Sequence, residues 1–267
     1  MDAPAPDPLR ERTVLSPDEV LQRARDMLVP IADRPGAVLF SGRNTLVRGS
    51  LYVMGWNPGG RTEGPSAENG TIGGSLEHVP EDWSSYADEV YDRSGQPSEL
   101  QGRIRTVFEA LGADPRQTFA TNALFERSPG EEELVQRNDG VWRLWWDHCW
   151  PVHQLFLHVV RPRVIVCLGC GPDPSTFELL RLTKDEPGRP LPWNWPSPRE
   201  EPAELGKLRE NVLFDLGDFD KHRCTVVGLP HPSPRVREGW PLTPEALMKI
   251  ERARQRIVDW ERADHAP

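Results

Sequence analysis

The sequence predicts an α/β protein built on a mainly parallel sheet. Four short runs of about six residues are apolar or β-branched and stop at turn-forming residues, which is typical of buried strands. They are Ser50–Trp56, Thr118–Leu124, Val164–Gly169 and Cys224–Pro230. Helical patterns separate them, and strands that alternate with helices need crossover connections, which make neighbouring strands parallel. The 267 residues suffice for one such domain with a core that needs neither disulfides nor metals.

Helical patterns lie between and beside these strands. Ser16 is a good N-cap, and the proline and two acidic residues that follow it favour a helix that runs to about Ile31. Further helices are predicted over Leu100–Leu111, Val141–Val160 with a kink near Pro151, Pro174–Leu182 and Thr243–Trp260. This alternation with the apolar runs underlies the predicted fold class.

The composition of the chain predicts its domain organisation. The Pro- and Asp-rich start predicts a disordered tail over residues 1–12, followed by a single domain over residues 13–267. Residues 61–100 hold 9 acidic and 2 basic side chains, and residues 185–220 hold 9 acidic and 4 basic ones. Both stretches are weakly patterned, so we expect them to be long loops or insertions on the core.

The composition also excludes some classes of protein. Charged residues make up 27% of the chain and no apolar run approaches the ~20 residues of a membrane span, so we expect a soluble protein with no membrane partner. Because the start of the chain lacks a basic and then apolar signal, we expect cytoplasmic localisation. The net charge of −9 disfavours non-specific binding to nucleic acid, although bulk charge does not decide what a single site binds.

Cysteine and histidine spacing gives no strong sign of a metal site. The cysteines are Cys149, Cys167, Cys170 and Cys224. We expect free thiols, and although redox and metal sites also use a C-x-x-C motif, Cys167 falls within a predicted strand, which favours a buried structural pair with Cys170. His148, His153 and His158 are five residues apart and do not share a helix face, so they are interpreted as ordinary helix residues.

Polar residues follow three of the four predicted strands. The first strand leads into the turn GWNPGG at residues 55–60, the second carries Asn122 near its end, and the fourth leads into His231. Glycine and proline force a tight turn that lets backbone approach a ligand and directs the Asn57 side chain off the strand end. Because ligands of parallel sheets bind at the carboxyl ends of the strands, these three side chains are expected to converge on one edge.

Two amides and an imidazole on one edge could carry out a specific reaction. Asn57 can hold a water through its carbonyl oxygen, and Asn122 offers an acceptor beside a donor, which can read a lactam edge such as O4 and N3–H of a pyrimidine. His231 can donate a hydrogen bond to an oxygen that gains negative charge. Stabilising this charge would contribute most to the rate of the reaction. Together they could expel an anionic heterocycle from a sugar while water attacks the anomeric carbon, without the carboxylate pair of a glycosidase.

Four segments match motifs that occur together in one superfamily. They are Val53–Gly60 (VMGWNPGG), Phe119–Leu124 (FATNAL), Val164–Gly171 (VIVCLGCG) and Val227–Arg235 (VGLPHPSPR). In these segments the chain resembles the uracil-DNA glycosylase superfamily, and most of all its single-strand-selective monofunctional and mismatch-specific branches. The order and rough spacing agree from about residue 50 to residue 260, and the joint occurrence is far more specific than any one short motif.

The resemblance implies a uracil-DNA glycosylase-like fold, a three-layer α/β/α sandwich on a four-stranded mainly parallel sheet, without metal or cofactor. It implies base excision repair by a monofunctional hydrolase that removes uracil or a related deaminated base from single-stranded or mismatched DNA. Asn57 would position the water and His231 would stabilise the charge on O2. The implied substrate-binding residues are Gly55, Trp56, Pro58, Gly59 and Asn122, and the implied DNA-binding residues are Ser233, Pro234, Arg235 and Arg237.

Two features depart from the family pattern. Position 57 is Asn where the most active branch has Asp, which implies weaker activation of the water. Residues 61–79 contain no Phe or Tyr to stack on the base, so Trp56, Trp83 or Tyr86 would have to do so. The alternative hypothesis is a non-catalytic module of the same fold that binds a free base, a nucleotide or a protein partner, which the acidic surface favours.

Overall fold

The structure is a computed structural model. It describes residues 15–60, 70–90, 95–138, 140–171, 175–181, 184–186, 189–190, 205–233 and 240–264. The predicted tail over residues 1–12 lies outside this part of the chain, and so do residues 61–69, 91–94, 187–188 and 191–204 of the two predicted insertions.

A five-stranded mixed sheet organises the fold. The strands in the described ranges are β1 (Leu51–Gly55), β2 (Phe119–Asn122), β3 (Val164–Leu168), β4 (Lys184–Glu186), β5 (Arg189–Pro190), β6 (Lys207–Asp215) and β7 (Lys221–Leu229). The main sheet has the order β2-β1-β3-β7-β6, in which the first four strands are parallel and β6 is antiparallel to β7. Strands β4 and β5 form a separate antiparallel pair.

The predicted α/β class with a mainly parallel sheet is confirmed, and the four predicted strands are the four parallel ones. The sheet has five strands rather than four, because part of the predicted insertion at 185–220 is the edge strand β6. Charged residues interrupt this strand, and its pairing shifts register between Arg209 and Val212, where Asn211 has a φ of 60°. Such a bulge hides the two-residue period that would identify a strand, and charge is common on sheet edges.

The five predicted helical segments are present, and two further helices, over 85–88 and 131–138, are not predicted from the sequence. In the described residues the helices are α1 (Pro17–Leu28), α2 (Ser85–Asp88), α3 (Glu99–Leu111), α4 (Glu131–Asn138), α5 (Val141–Leu144), α6 (Trp150–Val160), α7 (Thr176–Arg181) and α8 (Pro244–Asp264). Helix α1 begins with a capping box between Ser16 and Glu19, and α3 with one between Ser98 and Gln101. None of the helices in these ranges combines the length and hydropathy of a membrane span.

The predicted kink near Pro151 is replaced by a change of helix type. Helix α5 continues through a π-helical turn, Trp145–Cys149, directly into α6. Pro151 lies in the first turn of α6, where the wider π turn before it accommodates a residue that lacks an N–H donor. The predicted helix over 141–160 is therefore one continuous helical segment.

The sheet separates two apolar cores. Successive residues of β1 point to opposite faces, so Leu51 and Val53 belong to one buried cluster and Tyr52 and Met54 to the other. Helices α3 and α8 complete the first cluster, and α1 and α6 contribute to the second. Since every residue of β1, β2 and β3 is buried, only the ends of these strands can meet a ligand.

The cysteines are all buried free thiols, as the sequence predicts. Burial raises the pKa of Cys149 to about 12, so its thiol stays protonated at neutral pH. Two tryptophans of this helical segment belong to the core as well, because Trp145 and Trp150 are buried and pack with tilted rings at 5.3 Å between centroids.

His153 is a residue of helix α6, as the sequence predicts, and the structure adds that its side chain belongs to the core. Its side chain is completely buried, and Nε2 lies 3.0 Å from the carbonyl oxygen of Ala123, which can only accept. Nε2 therefore donates, and Nδ1 accepts from the hydroxyl of Tyr52 at 2.8 Å. These two bonds join α6 to Tyr52 of β1 and to Ala123, the residue that directly follows β2.

Acidification is expected to destabilise the fold through this histidine. Burial lowers the pKa of His153 from 6.5 to about 4, so the folded state binds this proton more weakly than the unfolded state. The stabilising contribution is complete above pH 6.5 and is lost as the pH falls towards 4, by about 3 kcal/mol in the free energy of unfolding. Urea unfolding at a series of pH values measures this loss.

The variant His153→Gln removes this titration, so its free energy of unfolding should fall less steeply between about pH 7 and pH 4. His222, whose pKa burial lowers to about 4, titrates in the same direction and remains in both proteins. His78→Gln, at an exposed position, should keep the wild-type slope. A wild-type slope in His153→Gln would show that the buried ring does not carry the effect.

Candidate active site at the carboxyl edge of the parallel strands

The motif residues follow strands that end on one edge of the sheet. Strands β2, β1, β3 and β7 are parallel neighbours, so their carboxyl ends lie side by side. Asn122 ends β2, Gly55 ends β1 and residues 56–60 follow it, Gly169 follows β3 and His231 lies in the loop after β7. The expected placement of the three motif loops on one edge is therefore met, with the end of β3 between the first motif and His231.

Gly55 and Asn122 are in direct contact across the ends of β1 and β2. They are partners in the strand register, and a Cβ atom on Gly55 would lie only 2.1 Å from Asn122 Oδ1. The side chain of Asn122 therefore lies across the end of β1 in space that only glycine leaves open. Asn122 is 4% exposed, so its amide is held in a largely dry position.

The aromatic residue Tyr86 lies close to Gly55. Its hydroxyl oxygen would lie 3.8 Å from the same Cβ atom on Gly55, and its ring stacks on Phe40 at 5.9 Å between centroids. Of the three aromatic candidates, Trp56 is partly buried against the core instead. The segment predicted as an acidic insertion thus supplies a buried phenol to this edge.

The side-chain amide of Asn57 joins the loops that follow β1 and β2. Its Nδ2 lies 3.0 Å from the carbonyl oxygen of Pro58, 3.3 Å from that of Glu126 and 3.1 Å from Ser128 Oγ. Because carbonyl oxygens only accept, the nitrogen must face them and Oδ1 must point the other way. Among the described residues no donor contacts that Oδ1.

The backbone continues the pairing of β1 with β2 beyond the strand ends. The N–H groups of Ala123 and Leu124 donate to the carbonyls of Gly55 and Trp56 at 2.8 and 2.9 Å. Further along, the carbonyls of Pro58 and Gly59 accept from the Ser128 backbone and from the Arg127 guanidinium. The carbonyls of Trp56, Pro58 and Gly59 are therefore used by the neighbouring loop, and their part in substrate binding stays a prediction.

A buried carboxylate that the sequence did not single out supports this loop pair. Glu126 is 1% exposed, and its oxygens lie 3.0 Å from nitrogens of Arg34, Arg137 and Asn138. Its backbone carbonyl is one of the acceptors of Asn57. The acid lies two residues after the FATNAL motif, but two of its partners come from α4 and the third, Arg34, lies 92 residues away in the sequence, so no short pattern could reveal the cluster.

His231 is held as one defined tautomer. The backbone N–H of Ser233 donates to His231 Nδ1 at 3.1 Å, so Nδ1 is an acceptor and the ring proton lies on Nε2. Burial lowers the pKa of His231, which keeps the ring neutral at neutral pH. The ring edge faces Gly169, where a Cβ atom would lie 3.4 Å from His231 Cδ2 and where a φ of 134° favours glycine.

The remaining predicted DNA contacts are only partly described. Ser233 is half-buried in the loop after β7, whereas Pro234, Arg235 and Arg237 lie outside the described residues. In the described part of the chain no group of three or more His, Cys, Asp or Glu side chains is arranged to hold a metal ion. The groups that the structure places on this edge are thus amides, an imidazole, a phenol and guanidiniums.

No protein-family model matches this chain, and no curated protein matches it either. The chain is therefore characterised by its own fold and contacts. It is an α/β protein whose carboxyl sheet edge carries Asn122 against Gly55, Asn57 between two loops, and a neutral His231.

Replacing Gly55 by Ala tests the contact on which this edge is built. The new Cβ would overlap Asn122 Oδ1 at 2.1 Å, so the amide must move or β1 must shift, with a loss of about 1–3 kcal/mol in the free energy of unfolding. Gly59→Ala is the matched control, because no atom of the described residues lies within 4 Å of a Cβ at position 59. Urea unfolding and the NMR signals of the Asn122 side-chain amide measure both effects; equal results for the two variants would contradict the contact.

Proposed function

We propose that this protein is a DNA N-glycosylase of the uracil-DNA glycosylase type, which hydrolyses the glycosidic bond of uracil or a related deaminated base in DNA. The observation that carries the proposal is the grouping of three motif loops on one sheet edge, with His231 as a neutral Nε2–H donor. The substrate is single-stranded or mismatched DNA, in which flipping a base out of the stack costs least.

Asn122 recognises the base in this proposal. Its amide presents an acceptor beside a donor, which matches N3–H and O4 of uracil. The amide is buried against Gly55, so its bonds to a base would form in a dry pocket, where an unmatched edge is costly. Tyr86 would close the same side of the pocket, because its hydroxyl lies 3.8 Å from the position of a Cβ atom on Gly55.

His231 stabilises the leaving group. The C1′–N1 bond breaks with its electron pair on the base, a water oxygen bonds to C1′, and the proton released by the water ends on the base. The negative charge that develops on O2 accepts a hydrogen bond from Nε2–H of His231, a donor that is oriented before the reaction begins. No lysine lies in the motifs, so the reaction ends at an abasic site without a Schiff base.

Asn57 positions the attacking water through Oδ1 in this proposal. The bonds of its Nδ2 to the loop after β2 leave Oδ1 as the atom that can accept from a water. Since an amide is a weaker base than a carboxylate, orientation rather than deprotonation is its contribution. Ser233, Pro234, Arg235 and Arg237 form the loop that contacts the DNA backbone.

The hydrogen bonds of Asn57 to neighbouring backbone also favour one alternative, a non-catalytic module that binds a free base, a nucleotide or a protein partner. Four contacts occupy Nδ2 of Asn57, so the residue has a structural use that needs no reaction. The net charge of −9 points the same way. Salt dependence separates the two, because DNA binding weakens steeply with added salt and a module for a small ligand does not.

Excision of a single damaged base tests the proposal. Oligonucleotides with one uracil, xanthine or hypoxanthine, single-stranded or mismatched, are incubated with the protein and then cleaved at abasic sites with alkali. Strand breaks at one base are expected, and Asn122→Ala and His231→Ala should each reduce the rate by about 10²–10³ because each removes a fixed hydrogen-bonding group.

The control for this experiment is His78→Ala, an exposed histidine that should leave the rate unchanged. No strand breaks with any substrate, from wild-type protein that unfolds cooperatively in urea, would reject the glycosylase and favour the binding module. Strand breaks that persist in both site variants would instead reject the assignment of Asn122 and His231.

A further inference from the structure

An arginine that belongs to none of the sequence motifs donates hydrogen bonds to the loop that carries His231. Arg103 of α3 donates through Nη1 to the carbonyl of Ser233 at 3.0 Å and reaches that of Pro232 at 3.5 Å. Its Nη2 is paired with Glu99 at 2.5 Å, one helical turn away. The side chain is 15% exposed, so these contacts lie mostly out of solvent.

Trp240 holds the preceding part of the same loop. Its indole Nε1 donates to the carbonyl of His231 at 3.1 Å and lies 3.3 Å from that of Pro230. The guanidinium of Arg103 lies over the Trp240 ring, 5.5 Å from its centroid, which is a favourable cation–π distance. Together the two side chains contact four consecutive carbonyls, those of residues 230–233.

These contacts affect the hydrogen bond that the His231 imidazole accepts from the backbone. The carbonyl of Pro232 and the N–H of Ser233 belong to one peptide unit, whose C=O and N–H point in opposite directions because the bond is trans and planar. Arg103 lies on the carbonyl side of this unit, and the N–H on the other side donates to His231 Nδ1 at 3.1 Å. The bond of Arg103 to the Ser233 carbonyl at 3.0 Å and its weaker approach to the Pro232 carbonyl at 3.5 Å therefore restrain the peptide unit whose N–H selects the tautomer.

We propose that Arg103 and Trp240 are positioning residues that keep His231 in the Nε2–H tautomer and in its observed orientation. The consequence for catalysis depends on the proposed function: with the proton on Nδ1, Nε2 would present a lone pair to the developing negative charge and repel it. The effect on the ring itself does not depend on any activity. Neither residue touches the substrate, and both act through the backbone of the loop.

The test reads the tautomer directly. Two-bond ¹H–¹⁵N spectra of protein labelled at histidine distinguish a protonated ring nitrogen from an unprotonated one, and the wild type should show Nε2–H and unprotonated Nδ1 for His231. Arg103→Gln loses the planar fork and its charge, and Trp240→Phe keeps the aromatic face but loses the N–H donor. Both should move His231 towards a mixture of tautomers.

Excision kinetics give the second measurement. Each variant is expected to lose about tenfold to a hundredfold in kcat with little change in KM, because the donor is misplaced while the base-reading Asn122 is intact. Arg103→Lys, which keeps the charge and one donor, should recover part of the loss. Arg252→Gln, at a half-exposed ion pair on α8, is the control and should leave both the tautomer and kcat unchanged.

The outcomes separate this proposal from the proposed function. A wild-type His231 spectrum in folded Arg103→Gln and Trp240→Phe would overturn it, whether or not the protein excises a base. A shifted tautomer in a protein without excision activity would support the positioning role and reject only the glycosylase. If Arg103→Gln does not fold, Glu99→Gln replaces it, because this variant removes the ion pair of Arg103 but keeps the guanidinium. It should shift the His231 tautomer in the same direction. An unchanged His231 spectrum in Glu99→Gln would overturn the proposal.

Discussion

The contact between Gly55 and Asn122 is the constraint on which the candidate site depends. The two residues are register partners at the ends of β1 and β2, and the absence of a side chain at position 55 lets the amide lie across the strand end. The position of the amide is thus a consequence of strand pairing, which the two buried cores on either side of the sheet enforce. Stability and site geometry cannot be separated at this point, because any shift of β1 against β2 would move the amide as well.

Beyond the strand ends, the edge is ordered by hydrogen bonds to backbone carbonyls rather than by apolar packing. Asn57, Arg127, Arg103 and Trp240 each donate to carbonyls of loops that carry the motifs. Loops that extend from buried strands leave carbonyls without ladder partners, and side-chain donors satisfy them in a single arrangement. An edge that is fixed in this way suits a reaction in which donors must already point at the place where charge develops.

The sequence predicts the parallel strands within a few residues because each is buried on both faces and therefore apolar throughout. It does not predict β6, which lies at the edge, carries charges and has a register shift near Asn211. The motif positions of Asn57, Asn122 and His231 follow from the strand ends. Their partners do not, because Tyr86, Glu126 and Arg103 come from a segment that resembles a loop, from a strand exit and from the surface of a helix, and only tertiary contacts bring them to the edge.

The chain as a whole is acidic, yet arginines are grouped beside the loop after β2, and this difference bears on how DNA would bind. The whole chain carries −9, whereas Arg34 and Arg137 both pair with the buried carboxylate of Glu126, and Arg137 also lies 3.8 Å from Glu133. Arg34 and Arg137 remain 38% and 33% exposed, so part of this positive charge is open to a phosphate. Bulk charge governs long-range attraction, whereas contact with a phosphate depends on the charge within about one Debye length of ~8–10 Å. Under the proposed function, an acidic chain with partly exposed arginines at this edge would approach DNA slowly and hold it mainly where a base occupies the pocket, a property that favours bases that are already unpaired.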